Sequence, residues 1–471
     1  MRFRYAICSV LAFCGAIGAS LDAADWPQWR GPGGNAVAPD ETLPIKWTAT
    51  ENIAWKAPLA GAGVSTPIVS GDRVFVTSQI GAGVRREGNH PRLVQGSDAA
   101  AQGERALAGA AVSDPSKTFF VVEAFARTDG KRLWERRIEA EGTLTPVHDK
   151  HNLATPSPVS DGTHVFAWFG TGQILALNGD GTIVWQRHLG KEIAPFDIQW
   201  GHGSSPALYN DLLILLCDHS SASYLLALDK KTGKERWKVD RGKGRSSYST
   251  PLVIEGPFGA EVIVNSSERL DAYDPRTGTF LWHTGDANRF PIPSPVFQDG
   301  VIYASRGYRS GPYMAIRPGG RGDISATHVA WLVGTGAPYV SSILYYDPTP
   351  ARATQRERAG GIVYMANDVG VLTAVDAATG ERIWQERVDG VFSASPVAGA
   401  GHVYFVSENG DTVVLEAGVP AARSVRGGEE AGRPPQIVSR NSIGERAVAS
   451  PAIANGRIFI RTDSSLFCIG R

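Results

Sequence analysis

Three histidines are the side chains in this sequence best able to bind a metal together. His148 and His151 flank Asp149 and Lys150, and His202 lies further along the chain. A zinc site needs three or four His, Cys, Asp or Glu ligands that converge on one point. The three histidines come from adjacent repeat units, so they could converge on one metal ion. Histidines in loops that hydrogen-bond to backbone and water would give the same sequence pattern. We therefore expect no metal site, and His148, His151 and His202 are the candidates that would form one.

Carboxylates are the other residues that could do chemistry. Four of them could serve a hydrolase as acids or bases, but lone carboxylates in turns usually stabilise the backbone; they are Asp197, Asp218, Glu268 and Asp271. The sequence has no nucleophile elbow, phosphate loop or His-Glu-x-x-His motif. These observations favour a binding protein over an enzyme, and we name no catalytic residue.

A repeated segment provides the framework for these residues. It reads Ala-x-Asp, then a Thr-Gly turn, then Trp, as in Ala227–Trp237. From Trp134 to Trp384, successive repeat tryptophans lie 45–53 residues apart, near the roughly 40–50 residues that a four-stranded propeller blade requires. Gly permits the turn, and the Trp ring suits the seam between blades. We expect blade docking by Trp55, Trp134, Trp185, Trp237, Trp282, Trp331 and Trp384.

A second marker recurs with the same period and predicts the blade count. A Ser/Thr-Pro or Ser-Ser pair opens an apolar run eight times, at residues 66, 157, 205, 250, 294, 341, 395 and 450; Pro is tolerated at the start of a strand. The seventh unit has no Trp, and the eighth lacks its outer strand, whereas Asn52–Trp55 belongs to no unit. We predict an all-β, eight-bladed propeller of four-stranded antiparallel blades, closed by pairing of the N-terminal strand with the C-terminal blade.

The same pattern predicts the domain limits and the binding face. Residues 47–471 form the propeller, with a long insertion at 79–118, and residues 25–46 form an extended arm packed by Trp26 and Trp29. In a propeller, the loop entering each inner strand and the loop between the second and third strands share one face, and loops on a rigid scaffold often carry function. Ligand-binding candidates on that face are Asn152, Trp200, Arg245, Tyr248 and Arg306.

The repeat resembles the docking motif of pyrroloquinoline-quinone (PQQ) dehydrogenase propellers. The whole chain looks more like the non-enzymatic PQQ-like repeat proteins that include the BamB-type outer-membrane assembly factors, and Asp25–Pro32 looks like the start of exported planctomycete-type members. This resemblance implies a monomeric scaffold that has no cofactor. The scaffold would bind envelope proteins at its loop-rich face. The alternative it implies is an alcohol or sugar dehydrogenase that uses PQQ with calcium, although the chain lacks the vicinal cysteine pair of PQQ alcohol dehydrogenases.

The N-terminus and the composition indicate the compartment. Residues 1–24 are typical of a secretory signal peptide, too short to span a membrane, and no later run is apolar enough to do so. We expect a periplasmic or secreted protein; a lipid anchor at Cys14 is less favoured because Phe13 stands where a small residue belongs. A formal net charge of zero argues against nucleic acid as a partner. Cys217 and Cys468 fall in distant units, so we expect two unpaired, buried thiols.

Overall fold

The computed structural model describes residues 25–39, 42–81, 118–148, 150–308, 310–349, 360–418 and 435–470. Almost all regular structure in these ranges is β, and the expected long insertion at 79–118 lies mostly outside them. The strand β1 (Ile53–Pro58) comes first in the chain but belongs to the last sheet. A 3-10 turn at Pro32–Gly34 and a four-residue helix, α1 (Leu189–Glu192), are the helical elements described.

The strands form eight sheets, which we number as blades 1 to 8. Blades 1 to 4 contain β2 (Ile68–Ser70), β3 (Arg73–Ile80), β4 (Phe119–Ala126) and β5 (Arg132–Glu139); β6 (Val159–Ser160), β7 (His164–Trp168), β8 (Gln173–Asn178) and β9 (Ile183–His188); β10 (Ala207–Tyr209), β11 (Leu212–Asp218), β12 (Ser223–Asp229) and β13 (Glu235–Gly242); and β14 (Leu252–Gly256), β15 (Gly259–Asn265), β16 (Leu270–Tyr273) and β17 (Phe280–Thr284).

Blades 5 to 8 follow the same order. They contain β18 (Val296–Gln298), β19 (Val301–Ser305), β20 (Tyr313–Ile316) and β22 (Val329–Val333); β23 (Leu344–Tyr346), β24 (Ile362–Ala366), β25 (Val371–Asp376) and β26 (Arg382–Arg387); β27 (Val397–Gly399), β28 (His402–Val406), β29 (Asp411–Glu416) and β30 (Ile437–Ser442); and β31 (Ala452–Ala454), β32 (Arg457–Arg461), β33 (Ser465–Ile469) and β1. The short β21 (Gly322–Asp323) adds a parallel fifth strand to blade 4. The predicted eight-bladed propeller is confirmed.

The N-terminal strand closes the ring, as predicted. β1 pairs antiparallel with β33 from Ile53 opposite Ile469 to Pro58 opposite Ser465. Trp55 stands just after a bulge in β1 and is 7% exposed. Its indole N–H donates to the carbonyl of Arg127 in blade 1 at 3.0 Å. The first and last strands of the described chain are therefore joined in one sheet, which removes an exposed edge.

Tryptophan docking repeats at five seams with one geometry. The indole N–H of each Trp donates to a backbone carbonyl in the turn of the next blade, at 2.8–3.0 Å; the donors are Trp55, Trp134, Trp185, Trp237 and Trp331. The glycine of that turn has a positive φ and lies against the ring. A side chain on this glycine would collide with the Trp, so the Thr-Gly turn and the Trp act as one unit.

Replacing Gly233 by Ala tests two reasons for a glycine here, its positive φ and its close contact with the Trp185 ring. Its φ is +69°, and an added Cβ would lie 2.7 Å from the Trp185 ring. We expect a loss in the free energy of unfolding of about 2–5 kcal/mol, from the positive φ and from overpacking together. Gly244→Ala is the control, because Gly244 has φ +75° but no atom within 4 Å of its Cβ, so about 1–2 kcal/mol is expected. Equal urea midpoints for the two variants would contradict this explanation.

Three seams depart from the pattern. Trp384, on the outer strand of blade 6, is 3% exposed, but its indole N–H has no hydrogen-bond acceptor among the described residues. The Trp282 indole N–H donates to Glu261 Oε2 at 2.7 Å, within its own blade, because the next blade has no Thr-Gly turn after Ile316. In blade 7, Ser439 occupies the Trp position, since it pairs with Val414 just before the bulge as Trp237 pairs with Ala227 in blade 3. Trp47, between the arm and β1, lies at this seam instead; it is 4% exposed, and its backbone N–H donates to Asn441 Oδ1 at 3.0 Å.

The recurring hydroxyl markers form a closed ring of hydrogen bonds around the channel. At seven of the eight steps, a marker backbone N–H donates to the hydroxyl oxygen of the next blade's marker at 2.8–3.0 Å; the series runs Thr66, Ser157, Ser205, Thr250, Ser294, Ser342, Ser395 and Ser450. At the eighth step, Thr66 Oγ1 donates to the Ser450 carbonyl at 3.1 Å. The markers therefore join neighbouring inner strands as well as starting them.

The arm at residues 25–38 crosses the central channel. It meets inner strands on opposite sides of the ring, and the contacts are Trp26 with Val69 in blade 1, Pro27 with Ser160 in blade 2, Trp29 with Ser294 in blade 5, Arg30 with Ile343 in blade 6 and Ala38 with Ala398 in blade 7. Trp26 is fully buried. Asp25 accepts from the Gly71 N–H just after β2, and Asn35 donates to Gln298 at the end of β18, so both ends of this segment lie toward the Thr-Gly-turn side of the ring.

Two further expectations concern cysteines and membrane spans. Cys217 and Cys468 are both buried and unbonded to each other, as expected. Among the described residues, no helix has the length and hydrophobicity needed to cross a bilayer.

Candidate functional site

The loops that enter the inner strands and the loops between the second and third strands lie at the open end of the channel; we call this the mouth face. Lys150, before β6, extends across it to Glu408, between β28 and β29, and the Nζ–Oε1 distance is 2.6 Å. Ser393 also donates to Glu408. Because blades 2 and 7 are not neighbours, this ion pair bridges the mouth.

Asp368 is a carboxylate buried beside that bridge. It lies between β24 and β25, is 2% exposed, and its oxygens face the backbone N–H groups of Tyr339 and Val340 without hydrogen-bond geometry. Burial raises the pKa of Asp368 to about 7, although Lys150 opposes the shift. A carboxyl that exchanges its proton near neutral pH is uncommon and often marks a functional site.

Four aromatic rings form a continuous row on the mouth face, which we call the aromatic arc: Tyr248, Phe290, Tyr308 and Tyr339. Successive ring centroids are 6.4, 5.3 and 5.4 Å apart. All four rings are half-buried, and the exposed Arg289 guanidinium lies 5.3 Å from the Phe290 centroid. The arc combines large apolar area with hydroxyls and a cation at an accessible surface.

The histidines lie at the seam of blades 2 and 3. His202 and His219 are buried, with 3.1 Å between His202 Nδ1 and His219 Nε2, and His202 Nε2 is 3.1 Å from the Ser204 carbonyl. A neutral imidazole has one N–H. With Nε2–H of His202 donating to the Ser204 carbonyl, His202 Nδ1 is an acceptor, and the Nε2–H of His219 donates to it. Trp168 and Phe196 pack against the pair. The sequence did not single out His219 as a partner of His202.

Two buried histidines, His151 and His219, should make the stability of the protein sensitive to acid. Burial lowers the pKa of His151 and of His219 from 6.5 to about 4, and Asp218 and Asp197 only partly offset this for His219. Below pH 6.5 the unfolded chain takes up protons that the folded chain does not. Stability is therefore full above pH 6.5 and falls down to about pH 4, by about 1.4 kcal/mol per pH unit for each histidine.

Urea unfolding of wild-type protein and His219→Gln between pH 7.5 and 4.5 measures this effect. Gln can keep the N–H donor to His202 but does not titrate, so we expect a slope smaller by about 1.4 kcal/mol per pH unit. Carboxylates titrate equally in both proteins and cancel in the comparison. Parallel curves for the two proteins would refute the assignment to His219.

Two of the candidate hydrolase acids belong to a buried ion network. Arg241, 6% exposed overall, donates to both oxygens of Asp218, at 2.8 and 3.0 Å, and to Asp271 at 3.0 Å. Burial opposes its charge, yet the contact with Asp218 raises the pKa of Arg241. Arg245 and Arg269 also pair with Asp271. The network joins blades 3 and 4 and leaves these acids no free oxygen for catalysis.

The remaining predicted site residues have varied surroundings. Asn152 donates to the Ala62 carbonyl at 2.9 Å, and Trp200 packs edge-on against His148. Arg245 bridges Glu268 and Asp271. Arg306 is 1% exposed and donates to Asn265, Ser266 and Asp286, so it braces the loops and is not a surface contact. Tyr248 alone among these lies in the aromatic arc.

Within the part of the chain that the structure describes, no three His, Cys, Asp or Glu side chains are grouped as a metal site would require. His202 is paired with His219 and not with His148. Asp149, the carboxylate between the other two candidates, lies outside the described residues.

Comparison with known proteins agrees with this architecture. BamB from Yersinia pestis is 21% identical over 299 residues, 63% of this chain and 59% of that protein. Tetrathionate hydrolase from Acidithiobacillus ferrooxidans is 22% identical over 380 residues, 76% of this chain and 65% of that protein. The chain thus spans less than two thirds of either relative.

The solved quinohemoprotein alcohol dehydrogenase from Comamonas testosteroni has the same fold, with a TM-score of 0.57, 13% identity, and coverage of 94% of this chain and 80% of that one. A family model described as outer membrane protein assembly factor BamB matches residues 118–331 and 347–419, more than half of the sequence. With its tryptophan-docked blades, the chain belongs to this BamB-like family of PQQ-like β-propellers.

Proposed function

We propose that this protein is a non-catalytic scaffold of the cell envelope that binds a partner protein at its mouth face. The observation that carries the proposal is the aromatic arc with Arg289 beside it. Tyr, Trp and Arg are the residues that most often dominate protein–protein binding energy, and half-buried rings provide area at little entropic cost. A BamB-like family membership supports the same role.

The proposal includes an exported protein that acts as a monomer. Residues 1–24 would be removed as a signal peptide, which places the propeller in the periplasm or outside the cell. N-terminal sequencing of protein purified from its native cells checks this directly. A mature chain that begins near Asp25 supports export, and an intact Met1 refutes it.

Site-specific cross-linking tests the mouth face. A photoreactive benzoylphenylalanine in place of the exposed Arg289 should capture an envelope protein in native cells. The same residue in place of Lys231, exposed in a Thr-Gly turn on the opposite face, is the control. We expect an adduct from position 289 that is lost when Tyr308 and Phe290 are both changed to Ala. Adducts of equal yield from both positions, or none from 289, would overturn the proposal.

A PQQ-dependent dehydrogenase is the second candidate. The titration of Asp368 near neutral pH favours it, since a proton acceptor is needed beside such a cofactor. The described residues do not fit a quinone held with calcium, because no three acids are grouped and Lys150–Glu408 spans the mouth. Incubation with PQQ and Ca²⁺ followed by dialysis decides between them: retained quinone absorbance with dye-linked alcohol oxidation would replace the scaffold by an enzyme.

A further inference from the structure

A groove of about 1010 Å³ lies along the seam between blades 7 and 8, away from the mouth face. Its walls come from the segment before β1 and the start of β1, from β30, from the start of β32 and from the residue after β33. The residues that matter for its chemistry are Lys46, Trp47, Glu51, Ser439, Arg440 and Arg457. Thr128, in the Thr-Gly turn region of blade 1, also lines it, so the groove opens on the face opposite the mouth.

The groove lies at the seam where the docking tryptophan is missing. Ser439 stands at that position, and its hydroxyl and the Asn441 amide hold the carbonyl of Ile45. The arm is thus attached to β30 through side chains, with Trp47 as a partial substitute for the missing ring. No Trp of β30 therefore fills this seam.

Trp47 is left with an unused donor. Its residue is 4% exposed, yet its indole N–H has no acceptor within the described ranges. Trp residues at five other seams donate this N–H to a carbonyl of the next blade. The described residues include three other buried Trp whose indole N–H is unpaired, namely Trp26, Trp168 and Trp384. Trp47 is the one of the four that lines the groove, so a ligand there could supply the acceptor that buried donors usually have.

The charge of the groove is positive. Among the described residues that line the groove, the cations are Lys46, Arg440 and Arg457, and the acid is Glu51. Lys46 and Arg440 are exposed, and neither takes part in an ion pair of the described residues. The chain as a whole has no net charge, so this local excess of cations is a property of the groove. Complementary charge at such a surface favours an acidic ligand and speeds its association.

We propose that this groove binds an extended acidic segment of a partner protein. Side-chain carboxylates would pair with Arg440 and Lys46, and a carbonyl of the segment would accept the Trp47 N–H. The volume is at the upper end of the range for ligand pockets and exceeds that of one inorganic oxyanion, and the cations come from separate segments. The site is distinct from the mouth face and does not depend on the function proposed for it.

Fluorescence anisotropy with labelled hexaglutamate, at about 0.15 M salt, tests the groove in the mature full chain. We expect saturable binding that weakens about tenfold in Arg440→Glu, the loss of one charge-assisted contact. Lys238→Glu is the matched control, because Lys238 follows Trp237 in blade 3 as Arg440 follows Ser439 in blade 7. Its affinity should equal that of wild type. Equal losses in the two variants would mean non-specific attraction and would overturn the proposal.

Two further variants distinguish the contribution of the Trp47 indole to peptide binding from that of the cations. Trp47→Phe keeps a ring but removes the N–H, and we expect binding to weaken several-fold. Ser439→Trp should fill the groove and abolish binding while circular dichroism stays native; should it not fold, Arg440→Glu and Trp47→Phe decide. Labelled hexaglutamine that binds as tightly as hexaglutamate, or inorganic phosphate that displaces the peptide at equal concentration, would overturn the assignment to an acidic peptide. Cross-linking at position 289 should be unaffected by Arg440→Glu.

Discussion

A chain that lacks residues 47–56 should not reach a stable fold. The deletion removes most of β1, so blade 8 keeps three strands and the edge of β33 is exposed. It also removes Trp55, which docks on blade 1, and Trp47, which fills the seam beside blade 7. Loss of one buried Trp costs about 3–5 kcal/mol, and a whole protein has only about 5–15 kcal/mol of stability. Circular dichroism and limited proteolysis would show an unfolded, rapidly cleaved chain.

Restoring the strand at the other end of the chain is the control. A Gly/Ser linker of equal length replaces residues 47–56, and the segment 47–58 is added after Gly470 through a short turn. Because β33 ends opposite Ile53, the added segment can form a hairpin with β33 and should rescue folding. A deletion variant that is as protease-resistant as wild type would show that the ring does not depend on this strand.

Arg241→Leu should cost about 3–5 kcal/mol in the free energy of unfolding. Its guanidinium binds Asp218 and Asp271, whose side chains are both fully buried. Leu fills much of the same volume but leaves two carboxylates beside each other, away from water and without this partner. Arg245 and Arg269 still contact Asp271, so the larger part of the penalty comes from Asp218. Urea unfolding at pH 7.5 measures the change.

An exposed ion pair provides the comparison for this prediction. Arg236 pairs with Asp211 and Asp229 in the same blade, at 2.8 and 3.1 Å, but its side chain is 46% exposed. We expect Arg236→Leu to cost less than about 1 kcal/mol. If the two substitutions changed the urea midpoint equally, the burial of Arg241 would not be the cause of its effect.

The fold followed from the sequence because each blade repeats a local rule. The Thr-Gly turn and Trp237 are close in the chain, and their spacing sets the blade length. Ser395-Pro396 and its counterparts indicate strand starts without knowledge of the partners. The hydroxyl ring itself was not anticipated, since a Ser that starts a strand looks the same whether or not its oxygen accepts a bond from the preceding blade.

The site was harder to predict because its contacts join distant parts of the chain. Arg306 looks like a surface loop residue in the sequence, yet it is buried against Asn265 and Asp286. Asp368 has no neighbouring signal that would mark it as buried. Trp47 lies outside the repeat, so its place beside Ser439 could not be read from periodicity. Repetition predicts elements well, whereas burial of a single loop residue depends on the assembled ring.

The arm that crosses the channel limits how the propeller can handle a ligand. Trp26, Trp29 and Arg30 contact the inner strands of blades 1, 5 and 6, so the arm lies across the axis of the ring. On this geometry we expect the arm to obstruct the passage of a polymer along the axis. We therefore expect ligands to reach the axis of the described part of the ring from the mouth face.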